Sequence, residues 1–316
     1  GHLNMEIAVL LRQTFRMSSR KMATIKYDDK TLRAMFGKPI QPTIPISLNE
    51  ISIEAQKLAG KLSISGVQPK LSVQLDGGKL VPVEKDGQYI LKPQTQDFSE
   101  LPQNEYLCMQ MGKRFGLNTA QFVLLELSDG SPAYVVKRFD RFKKGRRVEK
   151  LACEDMHQIL GGPDKYAGSH EQIAKVIKEH CRFAPLELQR LFEMTVFNFA
   201  IGNGDAHRKN FSLLTSEDGT VALSPAYDLV SSRLVITEED EELALSLNGK
   251  HNRLRRADFL TFADHVGIAA TYAEDKITDL LSRRDEFLKM VGVSTLTAKL
   301  QDRIEGILTE RLSRLE

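Results

Sequence analysis

Asp205, His207, Lys209 and Asn210 share one short polar stretch, and Asp228 follows in the next polar opening of the chain. A carboxylate can accept the proton of an attacking hydroxyl, while an amide oxygen and a second carboxylate can hold a divalent cation against phosphate groups. Two aspartates and an asparagine in this order therefore suit metal-assisted phosphoryl transfer. Asn and Asp also populate turns because they hydrogen-bond their own backbone, so a plain turn stays open at this point.

The elements around these residues can be read from periodicity. An apolar run ends at Ile201, and a Gly-Asn-Gly turn opens the polar stretch. Phe211, Leu213 and Leu214 then alternate as a half-buried strand, a turn falls at Glu217 to Gly219, and Val221 to Leu223 return as a second strand. This hairpin carries Asp205 and Asn210 before its first strand and Asp228 after its second. An Asp, an Asn five positions on and an Asp one hairpin downstream is the order found in protein kinases.

Upstream, the run Gln88 to Pro93 reads as a strand with Lys92 at its end. Asn104 to Leu117 reads as a helix with Leu107, Met111 and Phe115 on one face, Gly116 past its end and Glu105 in its first turn. Strand, lysine, helix, glutamate is the order of a kinase small lobe, although an exposed lysine and a dipole-favoured glutamate account for each residue alone. Before the strand Leu71 to Leu75, the loop Ser63 to Lys70 holds small residues that would let backbone N–H groups approach phosphate. It matches neither G-x4-G-K-[ST] nor G-x-G-x-x-G, so a β-turn remains an alternative. Strands are expected at 122–127 and 133–136, followed by a link, Lys137 to Arg141. Helical patterns then dominate at 154–160, 170–180, 185–201, 256–265, 270–290 and 295–315. The N-terminal residues 1–60 read as an accessory segment with helices at 30–36 and 49–58, and residues 5–22 take no assignment.

Composition bounds the function class. The chain has 316 residues, 41% hydrophobic and 27% charged, with a net charge of +2. Disorder is thereby disfavoured, and no global field marks a nucleic-acid binder. No apolar run approaches ~20 residues and no secretory signal is present, so the expected compartment is the cytoplasm, away from any membrane. Cys108, Cys153 and Cys181 are an odd count without metal-ligand spacing and read as buried thiols in a reducing compartment. Two basic clusters, residues 141–150 and 251–256, offer an anionic-partner patch or solvated turns. The acidic run 238–242 reads as a solvated loop.

With these pieces assembled, the sequence resembles the HipA family of toxin serine/threonine kinases. The matching stretches are SISGVQPKL (63–71), YILKP (89–93), NEYLCMQM (104–111), VVKRFDR (135–141), CEDMHQILG (153–161), GNGDAHRKNFSLL (202–214) and LSPAYDL (223–229). The resemblance implies an α+β, two-lobed protein-kinase-like fold: an accessory segment 1–60, a small lobe 61–140 with the phosphate loop, and a helical lobe 141–316. It implies ATP and Mg²⁺ as cofactors, Asp205 as catalytic base, and Asn210 with Asp228 as metal ligands. Ser65, Gly66, Val67, Gln68, Pro69 and Lys70 would form the phosphate loop, Lys92 would contact the ATP phosphates, and Glu105 would pair with it. Lys137, Arg138 and Phe139 would be the adenine hinge, while His207, Arg208, Lys209 and Tyr227 would line the nucleotide site. Ser63 and Ser65 fall where the family autophosphorylates.

About sixty residues precede Ser63, fewer than in full-size toxins, which resembles the short HipT-like branch. Implied partners are an aminoacyl-tRNA synthetase as substrate, a small antitoxin resembling the missing subdomain, and a DNA-binding repressor. A kinase-shaped binding subunit of a DNA-bound complex is the alternative. A metal phosphoesterase using Asp205 and His207 lacks the further His and Asp ligands of a two-metal site.

Overall fold

The first lobe is organised by an antiparallel sheet that is apolar on both faces. The computed structural model describes residues 24–59, 69–95, 97–145, 147–236 and 241–316. Its main sheet contains β1 (Leu71–Asp76), β2 (Lys79–Pro82), β3 (Tyr89–Pro93), β4 (Phe122–Glu126) and β5 (Pro132–Lys137) in the order β2-β1-β3-β5-β4. All neighbours are antiparallel, and Lys92 on β3 sits opposite Tyr134 on β5. Side chains alternate across a strand, so Tyr89 and Leu91 join one core while Ile90 packs against another.

The first of these cores is covered by the N-terminal helices Asp29–Phe36 and Leu48–Ala59. Leu32, Met35, Phe36, Ile44 and Ile51 pack there against Val73, Leu80, Val123, Val135 and their neighbours. Asp28 caps the first helix by accepting from the Thr31 N–H at 2.7 Å, and Gly37 ends it in the left-handed conformation. At about 1.5–3 kcal/mol for each large apolar side chain buried, residues 24–59 contribute a full face of this lobe's core.

The opposite face carries the helix Leu101–Phe115, whose Leu107, Met109, Met111 and Phe115 are buried. Proline near its first turn starts it three residues earlier than the apolar spacing indicated, so Glu105 lies in the second turn and is buried. The expected strands at 71–75, 88–93, 122–127 and 133–136 are all present to within a residue or two.

The remainder is mainly helical. The helices His170–His180, Ala184–Ala200, Arg256–His265, Ala270–Ser282, Arg284–Gly292 and Ala298–Ser313 share one core with Leu101–Phe115. The expected helix 270–290 is broken at Arg283; Ile277, Leu280, Phe287 and Val291 keep a helical spacing through the break, which hides it from periodicity. Helix Ala184–Ala200 is buried nearly all round over its last two turns and delivers the chain to the 205–210 stretch.

Three further strands were not read from the sequence, one of which joins the expected hairpin of 211–223. β6 (Arg141–Lys144) and β7 (Arg147–Lys150) form a hairpin, and β8 (Ala152–Asp155) adds to β9 (Ser212–Thr215) and β10 (Val221–Leu223) in the order β10-β9-β8. Their charged residues mask the period of two. The basic cluster on the hairpin is partly neutralised: Arg141 contacts Asp140, Lys144 lies near Glu149 and Glu217, and Lys150 lies near Asp86. In the second cluster Arg256 pairs with Glu274. The expected solvated loop 238–242 is corrected at Glu242, which is bound by Arg314 and Arg311; residues 238–240 lie outside the described residues. All three cysteines are free, and no helix among the described residues is long and apolar enough to cross a membrane.

Gly202 ends the delivering helix at φ +68°, and a Cβ there would lie 2.8 Å from Ile307 Cγ2. A left-handed non-glycine residue costs of order 1–3 kcal/mol, and the close contact adds to that. Gly202→Ala is therefore expected to lose at least about 1 kcal/mol in urea denaturation. An unchanged midpoint would contradict this account of the turn.

Candidate functional site

The site is built where β3, the helix Leu101–Phe115 and the segment after β10 converge. Lys92 Nζ donates to Glu105 Oε1 at 2.7 Å and also to Asp228 Oδ1. Its side chain is 5% exposed, and the Tyr134 ring centroid lies 5.5 Å away. Burial opposes the lysine's charge, but the carboxylates of Asp228 and Glu105 outweigh it and raise its pKa. Burial likewise opposes ionisation of Asp228, yet Lys92 and Lys70 hold it well below the usual carboxylate range. Burial pushes Glu105 upward against the pull of Lys92.

Asp228 extends the chain of contacts. Asn210 Nδ2 donates to its Oδ2 at 3.2 Å, and Lys70 Nζ lies 3.8 Å from the same oxygen. The aspartate itself is left-handed, φ +54°, a conformation that surrounding structure must hold in place. Asn104 supplies that hold: its amide donates to Ser231 C=O at 2.9 Å and its oxygen accepts from Ser231 N–H at 3.0 Å.

The 205–210 stretch closes onto this cluster. Asn210 Oδ1 accepts from the His207 N–H at 3.0 Å and caps a single 3₁₀ turn, Arg208–Asn210. Gly204 N–H donates to Ser232 Oγ at 2.8 Å, and Asn203, bonded to Asn198 at 2.8 Å, accepts from the Asp205 N–H. Asp205 Oδ1 accepts from Tyr166 Oη at 2.7 Å. His207 is buried beside the Tyr166 ring, and burial lowers its pKa against the pull of Asp205.

The remaining expected site residues divide into two groups. Tyr227 Oη contacts Ser212 Oγ at 2.6 Å and donates to Lys209 C=O at 2.8 Å, and its ring packs on Phe139 at 5.6 Å between centroids. Those residues adjoin Asp228. By contrast, Lys137 Nζ donates to Ala34 C=O and Arg138 forms a fork with Asp140, so neither side chain is directed at Asp228. Arg208 is buried and donates to Gly161 C=O and Gln172 Oε1. Its side chain braces the 161–169 segment. Lys209 is exposed and meets the cluster through its carbonyl. Pro69 is described, whereas Ser63, Ser65, Gly66, Val67 and Gln68 lie outside the described residues.

Sequence reasoning missed Tyr166, Asn104, Asn203 and Ser232. Asn104 was within reach, since it precedes Glu105 on a helix and a buried asparagine needs partners. Tyr166 sits in a Gly- and Pro-containing loop with no period to place it.

The donor set fits a magnesium ion shared with phosphate. No cluster of three His, Cys, Asp or Glu occurs among the described residues. One carboxylate and one amide, with two lysines beside them, match an ion that keeps waters and takes its other ligands from phosphates.

A family model for the HipA-like C-terminal domain matches residues 62–286. A protein of Haemophilus influenzae, provisionally named as a kinase, is 26% identical over 281 residues, covering 81% of this chain and 82% of its own. The serine/threonine-protein kinase toxin HipA of Shewanella oneidensis is 25% identical over 245 residues. That match covers 71% of this chain and 55% of the toxin, so the chain spans little more than half of that relative. The solved complex of HipA, HipB and operator DNA from Shewanella oneidensis MR-1 aligns with a TM-score of 0.70 at 22% identity. It covers 86% of this chain and 71% of that one. The Helicobacter pylori proinflammatory kinase CtkA aligns with a TM-score of 0.56 at 14% identity, over 87% and 95% of the two chains. At these identities the likeness to both structures is one of fold, the two-lobed α+β arrangement of kinases.

Removing Lys92 alone should be strongly destabilising, because it leaves two carboxylates without their cation. Lys92→Met is expected to lose about 3–5 kcal/mol, and Lys92→Met with Glu105→Gln should recover part of that loss. Urea denaturation checks both; equal stability of single and double variants would argue against the pair.

Proposed function

We propose, from the premise that the chain belongs to the family of HipA-like C-terminal domains, that it is an ATP- and Mg²⁺-dependent protein serine/threonine kinase. The observation that carries this reading is the continuous contact from Glu105 through Lys92 and Asp228 to Asn210, with Asp205 on the same short stretch as Asn210. That order is the one phosphoryl transfer requires: a fixed cation, a metal-holding pair and a base.

In this mechanism Lys92 and Lys70 bind phosphate oxygens, and Glu105 keeps Lys92 in place. Asn210 and Asp228 would hold Mg²⁺, which would supply neutralisation of the charge developing on the phosphates. Asp205 orients the acceptor hydroxyl and takes its proton. Phe139 and Tyr227 offer an apolar wall beside Asp228, suited to the nucleotide base, and the backbone of 137–139 serves as hinge. The division into an accessory segment 1–60, a small lobe 61–140 and a helical lobe 141–316 belongs to this reading. Most of the rate comes from positioning and charge stabilisation.

The wider role extends the same proposal. The relatives include a toxin kinase, and one solved relative is assembled with HipB and operator DNA. On that support the chain is a toxin of a toxin–antitoxin system acting in the cytoplasm. Its substrate would be an aminoacyl-tRNA synthetase, and its partners a small antitoxin and a DNA-binding repressor. Ser63 and Ser65 are its autophosphorylation sites. Lys70, at the far end of their loop, lies 3.8 Å from Asp228, which favours a loop serving the phosphates.

Asp205→Asn is expected to lower phosphoryl transfer ~10²- to 10⁴-fold while ATP binding persists. Asp228→Ala should weaken Mg²⁺·ATP binding, read by calorimetry. Full transfer activity in the first variant, or unchanged nucleotide affinity in the second, would overturn the respective role. After incubation with Mg²⁺·ATP, mass spectrometry should find phosphate on Ser63 or Ser65. Phosphate on neither, while a foreign protein is labelled, would remove the autophosphorylation sites.

A further inference from the structure

Asp205 has one side-chain hydrogen bond among the described residues, and it comes from the half-exposed Tyr166. The tyrosine is anchored from both sides. Its N–H donates to Asp164 Oδ1 at 2.9 Å, and the Lys165 ammonium lies 4.9 Å from its ring centroid. On the other side, its ring meets His207 edge-on, with centroids 5.2 Å apart and planes at 78°.

The segment that carries Tyr166 is tied to the stretch that carries Asp205. Arg208 N–H donates to Lys165 C=O at 3.1 Å, and the Arg208 guanidinium donates to Gly161 C=O at 3.1 Å and to Gln172 Oε1 at 3.2 Å. Gly168 stands at φ +119°, where a Cβ would fall 2.6 Å from Arg208 Nη2 and 2.4 Å from Gln172 Oε1. Arg208, three positions after Asp205, therefore fixes the loop against the base. These contacts bring one exposed phenol to one half-buried carboxylate.

We propose that Tyr166 is the positioning residue of the phosphotransfer base: by donating to Oδ1 of Asp205 it fixes the carboxylate torsion, leaving Oδ2 to receive the acceptor hydroxyl. A carboxylate on a short side chain rotates unless one oxygen is held, and a base must meet its proton at hydrogen-bond distance and angle. The inference rests on the assignment of Asp205 as base. The phenol itself touches neither nucleotide nor acceptor in this role.

The test compares the wild type, Tyr166→Phe, Asp205→Asn and the double variant. Each is given Mg²⁺ and labelled ATP with the proteins of a heat-inactivated bacterial lysate as acceptors, and initial rates are followed against ATP concentration. Tyr166→Phe is expected to lower the maximal rate ~10-fold or more, since small misplacements of catalytic groups carry losses up to ~10²-fold. The KM for ATP and the melting temperature should stay at wild-type values. In the double variant the tyrosine should make no further difference, because contacting groups that act as a unit are not additive. A wild-type maximal rate in Tyr166→Phe overturns the proposal. A raised rate overturns it too and makes the phenol a gate, and so does an additive loss in the double variant. Wild-type activity in Asp205→Asn strikes instead at the base on which the inference rests, as does the absence of label with the wild type.

Discussion

A buried ammonium between two carboxylates sets the geometry on which the rest depends. Lys92, Glu105 and Asp228 come from the sheet, from the helix beneath it and from the segment after β10, three elements distant in sequence. Taking such charges out of water is expensive, and removing Lys92 deprives both carboxylates of their nearest cation. The three elements are therefore locked in one relative arrangement far more firmly than apolar packing, which tolerates sliding, would require. Lys92 and Glu105 are buried and Asp228 half-buried, so the triad ties three elements together by directional contacts rather than by area of burial.

A second, neutral layer carries that geometry to the candidate base. Asn104 clamps Ser231 on both backbone groups, and Ser232 takes the Gly204 N–H. Glu105 is the next residue after Asn104, so a single turn of helix orients both Lys92 and the chain following Asp228. From Ser232 the path reaches Gly204, the neighbour of Asp205. These amide and hydroxyl contacts hold the left-handed Asp228 against its own backbone preference.

How much of this was legible in the sequence depended on whether a residue's partner was local. Lys92 and Glu105 could be paired on paper because each sits at a readable place, the end of an apolar strand and the start of an apolar helix. The Asp205, Asn210 and Asp228 spacing was legible for the same reason, as a loop and one hairpin. Tyr166 was invisible, since its loop has no periodicity and its partner lies in another element. Glu242 looked like one more solvated acid until Arg311 and Arg314 closed on it. The β6–β7 hairpin was hidden because lysines and arginines on a strand carry no apolar alternation, and the partners of Arg208 were hidden because Gly161 and Gln172 lie in other elements.

The two lysines near Asp228 are unequal, and the difference bears on how the site accepts a charged ligand. Lys92 is nearly buried and already bonded to Glu105, so it cannot leave without exposing a buried carboxylate. Lys70 is 46% exposed at 3.8 Å and holds Asp228 only loosely, an interaction worth little at such exposure. Four groups, two ammonium and two carboxylate, are close to balanced before anything binds. Of the two lysines only Lys70 is exposed enough to turn from Asp228 toward a phosphate, since Lys92 is enclosed and bonded to Glu105. On the proposed reading, Lys92 sets the frame, and Lys70 is the cation that exchanges Asp228 for phosphate when nucleotide and metal enter together.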